Sequence, residues 1–309
     1  MNAHVHIPSD GDEAFRATHV GASEVAALFP EAGGSPWVTA FELWHRKKGN
    51  VATPEFAGNE RMLWGVLLEP VVLDEACRRY GWERVETPKR LSNGRGLGGH
   101  PDRFVRRTSD GKIGCVEAKA VDWLQFKKWG DEPTLPYLIQ PQTYCGLGKV
   151  DWCAIVALVG GNELEKWEFD FRPKLYAEIE RRVDAFWASI RANDPPKPDY
   201  SRDRDTIASL FDDPDEAVID LMLDNRAAYA CADYLAAAAD EKDAKARKEA
   251  AAAELLDKLG NNAAARIDGF TLRAPLIAEI PERTITAAMV GEKLPGRRAY
   301  RRIYVKEKN

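Results

Sequence analysis

The 309-residue sequence is informative first through what it lacks. No stretch approaches the ~20 uninterrupted apolar residues that a membrane helix needs, so no membrane association is expected. The five cysteines, Cys77, Cys115, Cys145, Cys153 and Cys231, are odd in number and scattered. Without a Cys-x-x-Cys pair they offer no zinc, iron–sulfur or disulfide framework, and read as reduced core or helix residues. Met1 to Gly11 has neither a basic start nor an apolar run, so no secretory signal is visible and a cytoplasmic location is expected. A basic surplus is missing too: 44 Lys and Arg stand against 49 Asp and Glu, a net charge of −5. That balance neither advertises nor excludes a polyanionic ligand, because a site can spend carboxylates on metal and keep only a local basic track.

What is present is an ordinary globular composition, 45% hydrophobic and 30% charged, long enough for one buried core of roughly 200 residues plus an appendage. Residues up to about Thr18 read as loosely ordered. A short helix is expected over Gly21 to Phe29, closed by Pro30 and Gly33-Gly34, and a second over Val38 to Lys48, with cations in its last turn and Gly49 as its stop. A third spans about Asn59 to Tyr80 and ends at Gly81; Pro70 inside it predicts a kink or a new helix start. Between Val85 and Ala120 the pattern turns to short strands. Ser109-Asp110-Gly111-Lys112 is a hairpin turn joining Arg103-Phe104-Val105-Arg106 to the strand Ile113 to Lys119. A helix at Leu135 to Leu147, strands at Trp152 to Val159 and Leu164 to Phe171, and a long helix from Pro173 to Ala192 complete an α/β unit.

Asp194-Pro195-Pro196-Lys197-Pro198 favours extended backbone and blocks helix continuation, which places a domain boundary at residue 198. The expected organisation is an α/β core, 1–198, and a mainly helical appendage, 199–309. In the appendage, Asp215 to Leu259 is rich in alanine and charge and reads as one long helix or a helical hairpin. Weak alternation at 265–275 and 299–306 predicts a small sheet. This region carries no catalytic constellation and is a candidate for oligomerisation or partner docking.

Chemistry concentrates at the hairpin. Asp102 begins its first strand, while Glu117 and Lys119 end the second, so the turn folds the three toward one end of the ribbon. Glu117 and Lys119 are two apart and share a strand face, with Val116 and Ala118 on the other, toward the core. Two carboxylates and a lysine are the groups that metal-assisted phosphodiester hydrolysis needs: oxygen ligands for a hard divalent cation, and positive charge where phosphate becomes more negative. The carbonyl of Ala118 is a candidate third ligand. A Glu-x-Lys tripeptide alone is more often a pair of exposed strand charges. Among Trp37, Trp44, Trp64, Trp123 and Trp129, only Trp123 and Trp129 are expected outside the core, beside Lys127 and Lys128 as a candidate DNA track.

His100-Pro101-Asp102 followed across a hairpin by Val116-Glu117-Ala118-Lys119 resembles the arrangement that names the PD-(D/E)XK nucleases. Gly21-Ala22-Ser23-Glu24, Ser35-Pro36-Trp37, Trp64-Gly65 with Glu69-Pro70, and Tyr137-x-x-Gln140-x-Gln142 resemble, in the same order, the YqaJ-type viral recombinases, a phage lambda exonuclease-like family. The resemblance runs from about Arg16 to Pro198. It implies a restriction-endonuclease-like fold, a central mixed sheet flanked by helices. It assigns the metal to Asp102, Glu117 and Ala118 with Glu69 near a second ion, the catalytic lysine to Lys119 and a catalytic glutamine to Gln140. Tyr137 and Gln142 become candidate DNA contacts. Arg16, Ser23 and His100 match positions around a 5′-phosphate; Ser23 reads equally as a helix cap, and His100 replaces a serine of the family pattern, where imidazole donates to phosphate or simply packs.

The implied activity is Mg²⁺-dependent (or Mn²⁺-dependent) 5′-to-3′ degradation of linear double-stranded DNA, leaving 3′ single strands for a single-strand annealing protein in phage-type recombination, inside a bacterial host if phage-encoded. A ring trimer is implied by the same resemblance. The alternatives are an endonuclease or nickase on the same fold, and a catalytically weak module that binds DNA or a partner.

Overall fold

The run Trp152-Cys-Ala-Ile-Val-Ala-Leu-Val159 has no polar position, the pattern of a strand covered on both faces. In the computed structural model, which describes residues 10–53, 60–268 and 270–275, it is a central strand with seven of its eight residues buried. The chain falls into two compact units, 1–211 and 212–309.

The first unit contains, in order, α1 (Asp10–Thr18), β1 (Val20–Gly21), α2 (Ala40–Lys48), α3 (Glu60–Tyr80), β2 (Trp82–Arg84), β3 (Leu91–Ser92), β4 (Leu97–Gly99), β5 (Arg103–Arg107), β6 (Ile113–Val121), α4 (Trp123–Phe126), α5 (Leu135–Gly148), β7 (Trp152–Val159), β8 (Glu163–Asp170), α6 (Pro173–Ala192) and α7 (Arg204–Leu210). Two 3₁₀ turns, Val25–Leu28 and Pro30–Ala32, lie between β1 and α2. The main sheet has the order β2-β5-β6-β7-β8. All its pairs are antiparallel except β6 with β7, whose parallel register runs from Gly114 opposite Trp152 to Val121 opposite Val159. A parallel pair needs a crossover, and α4 and α5 supply it. The expected α/β core, a mixed sheet flanked by helices, is what forms.

Each sheet face has its own cover. Val105, Val116, Ala154 and Val156 pack against Val72, Leu73 and Ala76 of α3. Phe104, Cys115 and Cys153, one position out of phase, pack against Leu138, Tyr144 and Cys145 of α5. Behind α5, Ile179, Val183 and Phe186 of α6 join Leu43 and Trp44 of α2. A second sheet, β1-β4-β3, pairs β1 with β4 in parallel, Gly21 opposite Gly98.

Several expectations are corrected. Residues 10–18 form a helix rather than loose chain. Helix α3 runs through Pro70 without ending, because its following turn is held by Val72, Leu73 and Ala76 against the sheet. The first unit runs on past the proline run to Phe211: Asp203, 1% exposed, accepts a hydrogen bond from Thr39 Oγ1 at 2.5 Å, and Arg202 donates to the carbonyl of Ser35 at 2.7 Å. All five cysteines are free thiols.

The second unit holds one unbroken helix, α8 (Asn225–Leu259), rather than a hairpin. A two-stranded antiparallel ribbon follows, β9 (Ala264–Ile267) with β10 (Phe270–Arg273); the strand expected at 299–306 lies outside the described residues. No described helix is long and apolar enough to cross a membrane.

Candidate active site

The alternation of β6 decides where its charges go. Cys115 faces α5, so Glu117 and Lys119, two and four residues on, lie on that same face. Glu117 is 2% exposed. Its Oε1 accepts from Lys119 Nζ at 2.7 Å and from Gln140 Nε2 at 2.6 Å, while Gln140 Oε1 accepts from Lys119 Nζ at 3.0 Å. The three side chains close a ring of hydrogen bonds between β6 and α5. Glu117 Oε2 is buried and has no hydrogen-bond partner among the described residues, a costly condition for a carboxylate oxygen.

Asp102, just before β5, accepts from the backbone N–H of Ala118 through Oδ2 at 2.9 Å. Since the N–H and C=O of one strand residue point the same way, the Ala118 carbonyl also faces Asp102, beyond the end of the β5 pairing at Arg103. Burial, then the like charges of Glu117 and Glu69, push the Asp102 carboxyl well above the usual carboxylate range. Glu69, in the interior of α3, is half-buried and is likewise raised, by burial and then by Glu117, against the pull of Arg103 and Lys119. Burial tends to lower the Lys119 ammonium, but the charges of Glu117 and Asp102 outweigh it and raise the group. One lysine therefore faces three crowded carboxylates. Among the described residues no three His, Cys, Asp or Glu side chains converge closely enough to hold an ion by themselves.

The residues matched to phosphate binding gather at the other sheet. Strands β1 and β4 run parallel, so Ser23, two residues past β1, and His100, one past β4, leave the same end. Arg16 is exposed near the end of α1, and Phe15 beside it meets His100 edge-on at 5.9 Å. Lys47 Nζ ties the group together, donating to the Arg16 carbonyl at 2.8 Å and to Glu24 Oε2 at 2.7 Å. Ser23 is exposed and does not cap the turn that follows; Glu24 occupies that position, and its side chain accepts from Gly21 N and Lys47 instead of capping the turn.

Gln142 is not placed to touch DNA. It is fully buried; its amide nitrogen donates to the Asp170 carbonyl at 2.9 Å and to Cys153 Sγ at 3.3 Å, and its oxygen accepts from Arg172 N at 2.8 Å. Two residues share a face on a strand, but on a helix with 3.6 residues per turn they diverge by roughly 200°, so Gln140 reaches the site and Gln142 the core. Tyr137, one turn before Gln140, is half-buried. The tryptophans also divide differently from expectation: Trp129 is buried at 6%, whereas Trp37 is 59% exposed and Trp64 55%. Trp44 is buried and Trp123 exposed, as expected.

Two further residues shape the site without a local sequence signal. Tyr144, 3% exposed, follows Gln140 by one turn of α5, and its hydroxyl stands 2.8 Å from where a Cβ on Gly99 would lie, so only glycine fits there. Arg103, 7% exposed, donates to Asp74 Oδ1 at 2.6 Å and brings a second cation near Glu69.

A hairpin joined to a parallel strand, with Asp102 beside the end of one strand and Glu117-x-Lys119 on the next, is the arrangement expected from the motif that resembles the PD-(D/E)XK nucleases. Residues 13–147 match the model of the YqaJ-like viral recombinase domain, the family that the sequence motifs resemble; the match takes in every candidate site residue and ends within α5. Similar solved structures include the alkaline exonuclease LHK-Exo from Laribacter hongkongensis, 22% identical over 63% of this chain and 96% of that one, with a TM-score of 0.46. The same enzyme in complex with dAMP gives a TM-score of 0.45 at the same identity and coverage. A phage related exonuclease from Haemophilus somnus 129PT is 16% identical over 61% of this chain and 89% of that one, with a TM-score of 0.30. No curated protein matches the chain.

Proposed function

We propose that the protein is a divalent-metal-dependent deoxyribonuclease that degrades linear double-stranded DNA from its 5′ ends and leaves 3′ single strands for recombination by annealing. The observation that carries the reading is Glu117: a buried carboxylate whose one oxygen holds Lys119 and Gln140 while the other has no hydrogen-bond partner among the described residues.

The donor set suits a hard cation. Asp102, Glu117 and the Ala118 carbonyl would hold Mg²⁺ or Mn²⁺ through oxygen, and Mg²⁺ commonly takes only one or two carboxylates and keeps several waters. A cation there would also relieve the repulsion that raises Asp102 and Glu69. When bound it supplies Lewis acidity toward phosphate and water. The remaining work falls to side chains. Lys119, kept charged and fixed by Glu117 and Gln140, meets the negative charge that grows on the phosphate, where a preorganised donor is most effective. Glu69, half-buried and within electrostatic reach of Glu117 and Lys119, would lie near a second cation, as the family resemblance implies. Arg16, Ser23 and His100 would receive a terminal 5′-phosphate. By family resemblance the 3′ strands would pass to a single-strand annealing protein, and a ring trimer would enclose the DNA.

The test compares linear duplexes carrying 5′-phosphate or 5′-hydroxyl with closed circles, in Mg²⁺ or chelator, for wild type and Lys119→Ala. The expected outcome is metal-dependent loss of the 5′-phosphorylated linear strand, slowed about 10²- to 10³-fold or more in the variant. Cleavage of circles would replace the exonuclease with an endonuclease; binding without cleavage under either metal would leave only a binding module.

A further inference from the structure

Trp37 is a large apolar ring held in water. It is 59% exposed, yet the backbone on both sides of it is fixed. The Ser35 carbonyl before it accepts from Arg202, and Thr39 after it donates to Asp203. Ser35 Oγ additionally accepts from the Trp37 N–H at 3.2 Å. The indole packs edge-on against Tyr137, with ring centroids 5.5 Å apart and planes at 88°. Tyr137 in turn leans on buried Trp129 at 4.6 Å. This perpendicular contact fixes the indole, and its exposure leaves ring surface open to solvent.

The position of this ring matters because Tyr137 precedes Gln140 by one helical turn, and residues three apart lie on one face of a helix. Gln140 holds both Glu117 and Lys119. Trp37 thus stands one aromatic ring away from the face of α5 that builds the charged site. Exposed Trp64 and Trp123 stand differently: Trp64 lies in the second turn of α3, and Trp123 opens the four-residue helix α4 with its ring stacked on Phe126, centroids 5.8 Å apart and planes at 27°.

We propose that Trp37, braced by Tyr137, is a stacking platform for a nucleobase of the strand whose phosphate lies at Lys119. The inference rests on the nuclease reading above. A flat, neutral ring beside a charged site fits a chain that alternates phosphates with π-faces, and stacking of this kind tolerates any base. Trp37 is a positioning residue: it fixes the strand and leaves the phosphate chemistry to Lys119 and the carboxylates.

The experiment measures binding of fluorescein-labelled oligonucleotide duplexes with short single-stranded 5′ ends by anisotropy in Mg²⁺, in a Lys119→Ala background so that the strand stays intact. Wild-type turnover is measured beside it. Trp37→Ala is expected to weaken binding about 10-fold and Trp37→Phe to restore most of the loss. An abasic residue walked along the strand should, at one position, remove the difference in affinity between the protein that keeps Trp37 and the Trp37→Ala variant. In turnover by the otherwise native enzyme, Trp37→Ala should raise KM more than it lowers kcat. Equal affinities of the Trp37 and Trp37→Ala proteins for every oligonucleotide, with wild-type cleavage intact, would overturn the stacking role and leave the nuclease standing. A loss of affinity that no abasic position removes would also overturn it. If wild type neither cleaves nor binds DNA, the nuclease reading fails and the platform with it.

Discussion

Strand β7 and helix α8 are both regular, and they are held by opposite means. Seven of the eight residues of β7 are buried between α3 on one side and α5 on the other. Of the 35 residues of α8, Leu259 alone is buried. The strand is made by its surroundings: its apolar residues exist as a strand because two faces of other side chains cover them. The helix rests on its own backbone, on good helix formers, on the Asp224 side chain accepting from Arg226 N and Ala227 N, and on i,i+4 pairs such as Lys258 with Glu254; each such pair gives about 0.3–0.5 kcal/mol. The chemistry-bearing residues sit with the first kind of structure. A buried carboxylate has to be placed to within a fraction of an ångström, and only packing does that.

The sharpest test of this contrast is truncation in each element. Ile155 is fully buried and stands opposite Glu117 in the β6–β7 register. Ile155→Ala is expected to cost about 2–5 kcal/mol, as for other large-to-small core changes, and to lower activity because it opens space beneath Glu117. Leu256→Ala removes a side chain that is 57% exposed and should stay within about 0.5 kcal/mol. Urea unfolding of both variants checks the pair; comparable losses would mean that α8 contributes to stability as a core element does.

The same contrast explains what can be read in the sequence. The β7 run, the Asp110-Gly111 turn, the glycine stops at Gly49 and Gly81 and the long α6 are local signals, and all are where the residues place them, whereas α8 begins at Asn225, ten residues after the expected Asp215. Helix α1 is hidden because Phe15 is the one large apolar residue in Asp10–Thr18, so no stripe shows. Strands β1 and β4 are two and three residues long and pair across more than seventy positions of sequence, beyond any local pattern. At the site, Glu117 and Lys119 share a face because strand alternation puts them there, and the hairpin brings Asp102, one residue before β5, beside them. Gln142 misleads for the complementary reason: spacing alone does not say that the segment is helical at the point where a shared face is inferred. Exposure of Trp37 and burial of Trp129 depend on what the 199–203 strap and β8 bring alongside, which the residues nearby do not disclose.

A smaller effect is expected where the site disturbs its own core. The Asp102 carboxyl is raised above its unfolded value, first by burial and then by Glu117 and Glu69, so the folded state holds the proton more tightly than the unfolded chain. Ionisation then costs stability. The penalty is absent below the ordinary carboxylate range, grows as pH rises from there through the raised folded value, and is constant above it. Asp102→Asn cannot ionise, and its amide oxygen can still accept from Ala118 N. The variant is therefore expected to melt higher than wild type near neutral pH without metal, the difference shrinking toward zero on acidification. Mg²⁺ should raise Tm in wild type and much less in the variant, since a ligand stabilises only the state that binds it. Calorimetry across pH with and without Mg²⁺ checks both; a variant that melts lower at neutral pH would show that Asp102 supports the fold instead of straining it.

The weakest perturbation bears on α8 itself. Ala238 is exposed in the middle of the helix, so replacing it by glycine removes almost no contact and changes backbone preference alone, by about 1 kcal/mol. If α8 is held by local propensity, Ala238→Gly should weaken amide-exchange protection for the turns around position 238 and leave the melting of the β-sheet unit unchanged. Protection should then be graded, lowest at the helix ends and dented at the substitution, as for a helix whose segments open independently. A uniform loss of protection along α8, accompanied by a lower Tm for the sheet, would instead make helix and sheet one cooperative block, and the contrast between β7 and α8 would be one of exposure without being one of stability.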